Sequence, residues 1–400
     1  MPRWATSHLA LAVGAAVTAA CISACGASRP APPPSQPVSY VGLPLRQVAD
    51  LALPDSASRF DYESIDPLRR TLYIAHLDAS SIVVVNLATQ QVQADLHGIA
   101  EVHGVLAAPS LGRLFASATG SGQVVMIWER TGRILARAPA GVYPDGIAYD
   151  PVKQEAFVSD ESGGVETVID ARDGRRIATI GLGGQAGNVQ YDDQTGDVLA
   201  DVQTRNVVAV IDPASNRVVR GIALPGCDHD HGLYLDEKSR LAFVACDGNA
   251  RLLVLGLTNY AVRQNLPVGE DPDVLAFDPS LHRLYVAAES GVVTVFGERG
   301  RSLVTLGRKF LATEAHTVAV DPVTHLVYFA LQDVGGKPVL RSWPQFADSE
   351  SARQCSGWLV TLTVRVVVLP LITVVYAVAD RRRLCSYRPS QSQPVTVRVS

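Results

Sequence analysis

Residues 226–236, GCDHDHGLYLD, put Cys227, Asp228, His229, Asp230 and His231 at five consecutive positions. Imidazole, carboxylate and thiolate are the ligands that divalent transition metals accept. The alternating run that follows reads as a strand, so these side chains stand where a strand begins. His229 and His231 are two apart and would point the same way in an extended loop.

The same chemistry recurs along the chain. Asp61, His103, Asp145, Gly187, His231, Asp273 and His316 each stand five residues before a repeated anchor, described below. Six of these seven are Asp or His, whereas ordinary loop positions favour Ser, Gly, Asn and Pro. Only nine histidines exist in the chain, and three fall on this register. A second set follows about ten residues after five of the anchors: His76 and Asp78, Asp160 and Glu161, Asp201, Asp247 and Glu289. Carboxylates and imidazoles crowded on one face repel or share protons unless a cation sits among them. The expected ligand ring is Asp61, His103, Asp145, His229, Asp230, His231, Asp273 and His316. The expected cofactor is one divalent transition metal, held by a subset of His103, His229, His231 and His316 with an Asp. A ring of loop caps with ordered water, or a cationic or sugar-like organic ligand, would use the same residues.

The anchor itself defines the elements. Asp66, Ala108, Asp150, Asp192, Asp236, Asp278 and Asp321 sit in segments such as SIDPLRRTLYIA, AYDPVKQEAFVS and AFDPSLHRLYVA. Their spacings are 42, 42, 42, 44, 42 and 43 residues. Each copy reads as four short strands separated by turn residues, with no helical periodicity between them. A period near 42 fits a propeller blade, and seven blades packed radially cover the apolar faces that one blade leaves bare. The reading is all-β: a seven-bladed β-propeller of four-stranded antiparallel blades over residues 45–347. The seventh copy runs out after three strands. LRQVADLAL (45–53), ahead of the first anchor, is expected to complete it as the outer strand.

NVVAVIDPASNRVVRGIALPG and HRLYVAAESGVVTVFGERGRSLVTL resemble the YVTN-type propeller repeats of exported bacterial proteins. The resemblance covers about 45–347. It implies the fold and leaves function open, because one fold hosts many functions. The same propeller class supplies large subunits of quinoprotein amine dehydrogenases and the copper domain of nitrous oxide reductase. Three ring histidines are too few for a copper cluster, and a quinoprotein needs a small subunit that this chain lacks.

The ends read differently from the body. Residues 1–24 form a signal peptide with a short apolar stretch, LALAVGAAVTAA. ISACG (22–26) resembles the lipobox of bacterial lipoproteins, which implies acylation of Cys25. Cys21 fits less well, and an ordinary secretory signal would also export the chain. Residues 25–44 are a Pro-rich, extended tether. After a linker (348–357), residues 358–379 are apolar over 22 positions, enough for a possible transmembrane helix. DRRR and a basic, polar tail (380–400) follow, which would place that end in the cytoplasm. Arg365 and Pro370 inside the span oppose this reading. The expected location is the bacterial membrane, with the propeller on the extracytoplasmic side. Export permits a disulfide, and Cys227 and Cys246 are expected to pair; free thiols or soft metal ligands are the alternatives.

The net charge of -4 gives no support for nucleic acid as a partner. No nucleophile elbow, haem-attachment motif or phosphate loop occurs. The expected function is binding of a small ligand or an envelope protein by a monomeric, tethered propeller. A metal-dependent hydrolase or oxidoreductase using the same funnel, and a structural scaffold in an envelope complex, are the alternatives.

Overall fold

The computed structural model describes residues 42–45, 47 and 49–344 in full, and the backbone of 358–369 and 372–383. The expected signal peptide, Cys25 and most of the expected Pro-rich tether lie outside the described residues.

Residues 49–344 form seven four-stranded antiparallel sheets. Blades one to six each use four consecutive strands, from Glu63–Asp66 in blade one to Ser302–Phe310 in blade six. Blade seven takes Ala319–Val320, Leu326–Leu331 and Val339–Pro344, and its outer strand is Ala49–Ala52 from the chain start. That strand pairs antiparallel, Ala49 opposite Ser342 and Ala52 opposite Val339, and Arg341 holds Asp50 through two bonds of 2.7 Å. The expected closure is therefore observed. The first strand of each blade lies beside the first strands of its two neighbours, all the way round.

The anchor pattern explains the packing. The residue seven places after each anchor is Tyr73, Phe115, Phe157, Leu199, Phe243, Tyr285 or Tyr328, and all seven are buried. They feed seven separate apolar cores, one between each pair of adjacent blades. No blade buries its own faces, so the ring folds as one unit.

The anchor aspartates pin the turns at one face. Asp66 Oδ1 accepts the amides of Leu68 and Arg69 at 2.8 and 3.0 Å, and Asp150 does the same for Val152 and Lys153. Several anchors also take a cation from the next blade. Arg240 makes two 2.7 Å bonds to Asp192, and Arg70 reaches Asp321 across the closure at 2.5 Å.

The C-terminal apolar segment departs from the expectation of a spanning helix. Trp358–Leu369 and Ile372–Arg383 are extended and pair with each other as an antiparallel hairpin. Val, Ile and Thr dominate this stretch and favour extended backbone, and Pro370 disfavours a continuous helix. Among the described residues, no helix is long and apolar enough to cross a membrane.

Candidate functional site

Each blade's first strand begins at the face opposite the anchor turns, so the ring residues meet there around the axis. Two local features bring them together. A register shift interrupts the first strand of blades two to six at the ring residue: between Val102 and Val105, Pro144 and Ile147, Ala186 and Val189, Asp230 and Gly232, and Pro272 and Leu275. Such bulges re-aim a side chain relative to regular pleating. Glycine also follows the ring residue in blades two, three and five. A Cβ at Gly232 would lie 2.1 Å from the Asp273 carbonyl oxygen, and one at Gly104 would lie 2.1 Å from that of Asp145. Only glycine lets neighbouring inner strands approach so closely.

The result is a funnel of about 290 Å³. Asp61, His103, Asp145, His229, His231 and Asp273 line it, with Glu161, Asp247, Asp271 and Glu289 nearer the rim. Its floor is a strut across the axis, where Tyr62 of blade one donates to Asn188 Oδ1 of blade four at 2.6 Å.

Three ring side chains form a ligand-type group. Asp61, Asp273 and His316 each offer an atom within 4.8 Å of the others, and all three are buried. The His316 Nδ1–H donates to the Glu314 carbonyl at 2.9 Å. A carbonyl only accepts, so the lone pair of the neutral ring sits on Nε2. That Nε2 is buried, lacks a hydrogen-bond partner and lies 3.9 Å from Asp273 Oδ2. His103 is oriented in the same way. Its Nδ1–H donates to the Glu101 carbonyl at 3.0 Å, and its Nε2 accepts from the Tyr143 hydroxyl at 2.8 Å, 3.9 Å from Asp61 Oδ2.

The electrostatics show a site short of positive charge. Burial, then Asp145 and Asp273, push the Asp61 carboxyl well above the usual range. Burial raises Asp145 too, despite His103 and His231. Asp273 goes the other way: its burial is outweighed by the hydrogen bond and charge of His231, 3.2 Å away. His231 rises well above its ordinary value, because Asp273 overcomes the desolvation of a largely buried ring at the funnel wall. Asp145 Oδ1 is buried without a partner. Arg59 is the one Lys or Arg lining the funnel among the described residues, and Glu289 holds it at 2.7 Å.

Several expected site residues serve otherwise. Asp230 turns out of the funnel: its Oδ2 accepts the Val202 amide at 3.1 Å, and Asp201 lies beside it. His229 adopts a left-handed backbone, φ 61°, and so does not parallel His231. It binds Asp247 at 2.8 Å on the rim, while His231 binds Asp273. The four histidines expected as a ligand set thus do not converge on one point: His103 faces Asp61, His229 Asp247, and only His231 and His316 share Asp273, with His316 grouped with two carboxylates. In the second set, His76 stacks on Phe60 and bonds Ser58, Asp78 caps the Arg59 amide, and Asp160 accepts the amides of Val142, Tyr143 and Gly163. Those three are structural; Glu161, Asp247 and Glu289 do face the funnel. Sequence reasoning missed Arg59, Tyr62 and Tyr143. Arg59 and Tyr143 each stand two residues before a ring residue, as His229 and Asp271 do, and all four line the funnel.

Cys227 and Cys246 are disulfide-bonded, with Cα atoms 5.4 Å apart. The bond ties the histidine loop to the second strand of blade five. Replacing both cysteines with Ser is expected to cost about 2–4 kcal/mol, since the bridge, 19 residues apart in sequence, constrains the unfolded chain. Urea unfolding under non-reducing conditions measures it, and an unchanged midpoint would contradict it.

No family model matches the chain, and no curated protein matches it. Solved structures do. A chain of hydrazine synthase from Kuenenia stuttgartiensis superposes with a TM-score of 0.63 at 16% identity, covering 74% of this chain and 97% of that one. A chain of a mitotic checkpoint complex gives 0.64 at 12% identity, covering 76% and 96%. At such identities the likeness concerns the fold alone.

Proposed function

We propose that this chain is an exported, membrane-tethered propeller that holds one divalent transition metal ion at Asp61, Asp273 and His316. A small polar ligand would bind to the ion from the open funnel. The observation that carries this reading is the His316 Nε2: buried, without a partner, in the ligating tautomer, and facing two carboxylates. An orphaned buried nitrogen costs about 1–3 kcal/mol, a cost a metal bond would remove. Carboxylate and imidazole together suit Zn, Mn or Fe(II). Backbone hydrogen bonding at Nδ1 is the outer-shell arrangement that orients a metal-binding imidazole. The raised Asp61 and Asp145 carboxyls support a site designed for added positive charge. Acylation of Cys25 would supply the tether.

The test is thermal melting of residues 42–347 during titration with zinc or manganese. One ion at a hundredfold excess over its dissociation constant stabilises by about 2.7 kcal/mol. The shift should vanish in His316→Ala and persist in His229→Ala. An equal shift in all three proteins would contradict the assignment.

Asp145 Oδ1 favours a second, hydrolytic reading. An unpartnered buried carboxylate beside a metal could accept a proton from an ion-bound water. Turnover of neutral esters that is lost in Asp145→Asn, with metal content unchanged, would establish it.

A further inference from the structure

The face opposite the funnel carries a different signature. Leu68 and Val152 are 76% and 80% exposed, Val323 is 58% exposed, and Leu281 is also exposed. Each stands two or three residues after an anchor aspartate, in blades one, three, seven and six. The backbone amide of each is bonded to that aspartate at 2.8–3.0 Å. The side chains are therefore held outward on fixed turns and cannot fold back onto the blade. The matching positions in blades two, four and five are Ser110, Gln194 and Lys238, so the apolar turns lie mainly on the side of blades six, seven, one and three. Inside these turns, a cavity of about 420 Å³ is framed by Pro67, Pro279 and Pro322.

The ring's last strand ends, and its closing strand begins, at this face. Pro344 pairs with Leu326, just beyond an anchor turn, so the chain leaves blade seven here. The apolar stretch 358–379 follows after 13 further residues. The closing strand enters blade seven from the same end, Ala49 opposite Ser342. The funnel face, by contrast, gathers Asp61, Asp145, Glu161, Asp247, Asp271, Asp273 and Glu289 against one arginine. An anionic leaflet repels that face.

We propose that the anchor-turn face lies against the membrane, with Leu68, Val152, Leu281 and Val323 seated in the lipid interface. The acidic funnel then opens away from the bilayer. This rests on the tethered reading above. Tethering raises the local concentration of the face at the bilayer, so four modest side chains suffice to orient the ring. A first strand of seven residues, such as Pro144–Asp150, separates the two faces by about 20 Å. The funnel then stands beyond the Debye length of about 8 Å, and lipid charge does not oppose ligand entry.

The experiment uses the full, lipid-modified chain on vesicles of phosphatidylethanolamine and phosphatidylglycerol. A fluorescent amino acid replaces Val152, or Val142 on the funnel face, which is 73% exposed. Nitroxide-labelled lipid should quench the probe at 152 several-fold more than the probe at 142. Adding Leu68→Ser and Val323→Ser should reduce the quenching at 152. Equal quenching, no quenching at either position, or stronger quenching at 142 in vesicle-bound protein would overturn the orientation while leaving the tether intact. Protein that fails to float with the vesicles would overturn both.

Discussion

Asp273→Ala is expected to destabilise the propeller by about 3–5 kcal/mol and to abolish metal binding. Asp273 is buried and is the counter-ion of His231, 3.2 Å away at the funnel wall. Removing one partner of a buried pair leaves the other charge without compensation, which costs that much in comparable cases. The pH dependence follows from the two shifts. Asp273 is depressed, so its contribution is present above the ordinary carboxylate range and is lost as pH falls through its lowered value. His231 is raised, so its contribution is complete below about 6.5 and is lost as pH rises through its raised value. The gap between wild type and variant should be widest near pH 5–6 and narrow on both sides. Urea unfolding across pH measures it. A gap below about 1 kcal/mol near pH 5–6 would mean that the pair is solvated and weak.

Glu166→Gln should act in the opposite sense. Glu166 lies in the third strand of blade three, Val165–Asp170, and is fully buried. Ser159 donates to its Oε1 at 2.8 Å, and its Oε2 has no partner. Burial lifts its carboxyl from the ordinary 4.5 to about 8. The native state thus holds a proton that the unfolded chain gives up above 4.5. Stability is greatest below that value and declines as pH rises towards 8, by about 1.4 kcal/mol per unit at most. Gln keeps the acceptor for Ser159 and cannot ionise. The variant should therefore gain about 2–4 kcal/mol at pH 8 and nothing below pH 4. A gain that does not change with pH would mean that Glu166 is not the titrating group.

The fold was legible because its signal repeats. Seven anchors near a 42-residue period, each followed seven places later by a large apolar residue, specify blades whose faces need neighbours. The missing fourth strand of blade seven pointed directly to residues 45–53. The ring was legible as a register, since position five before the anchor marks where each inner strand starts. Which side chains converge was not. The bulges at the ring residues, the positive φ at His229 and the turn of Asp230 towards Val202 decide direction, and none has a spacing signature in the sequence. His316 stood in the expected ligand set as one histidine among four. Its special status comes from a backbone carbonyl that fixes its tautomer, a three-dimensional fact. The length and hydropathy of the C-terminal stretch suggested a possible helix, with Arg365 and Pro370 opposing it, whereas its density of Val, Thr and Ile favours the strands it forms.

The central claim is that Asp61, Asp273 and His316 hold an ion, and elemental analysis of protein purified without a metal-affinity tag tests it most directly. The account predicts close to one equivalent of a divalent transition metal in the wild-type propeller. Asp61→Asn and His316→Ala should lose it, and His103→Ala should retain it. Metal-free wild-type protein that also fails to take up zinc or manganese on dialysis would contradict the account. The polar ring would then be a set of loop caps around ordered water.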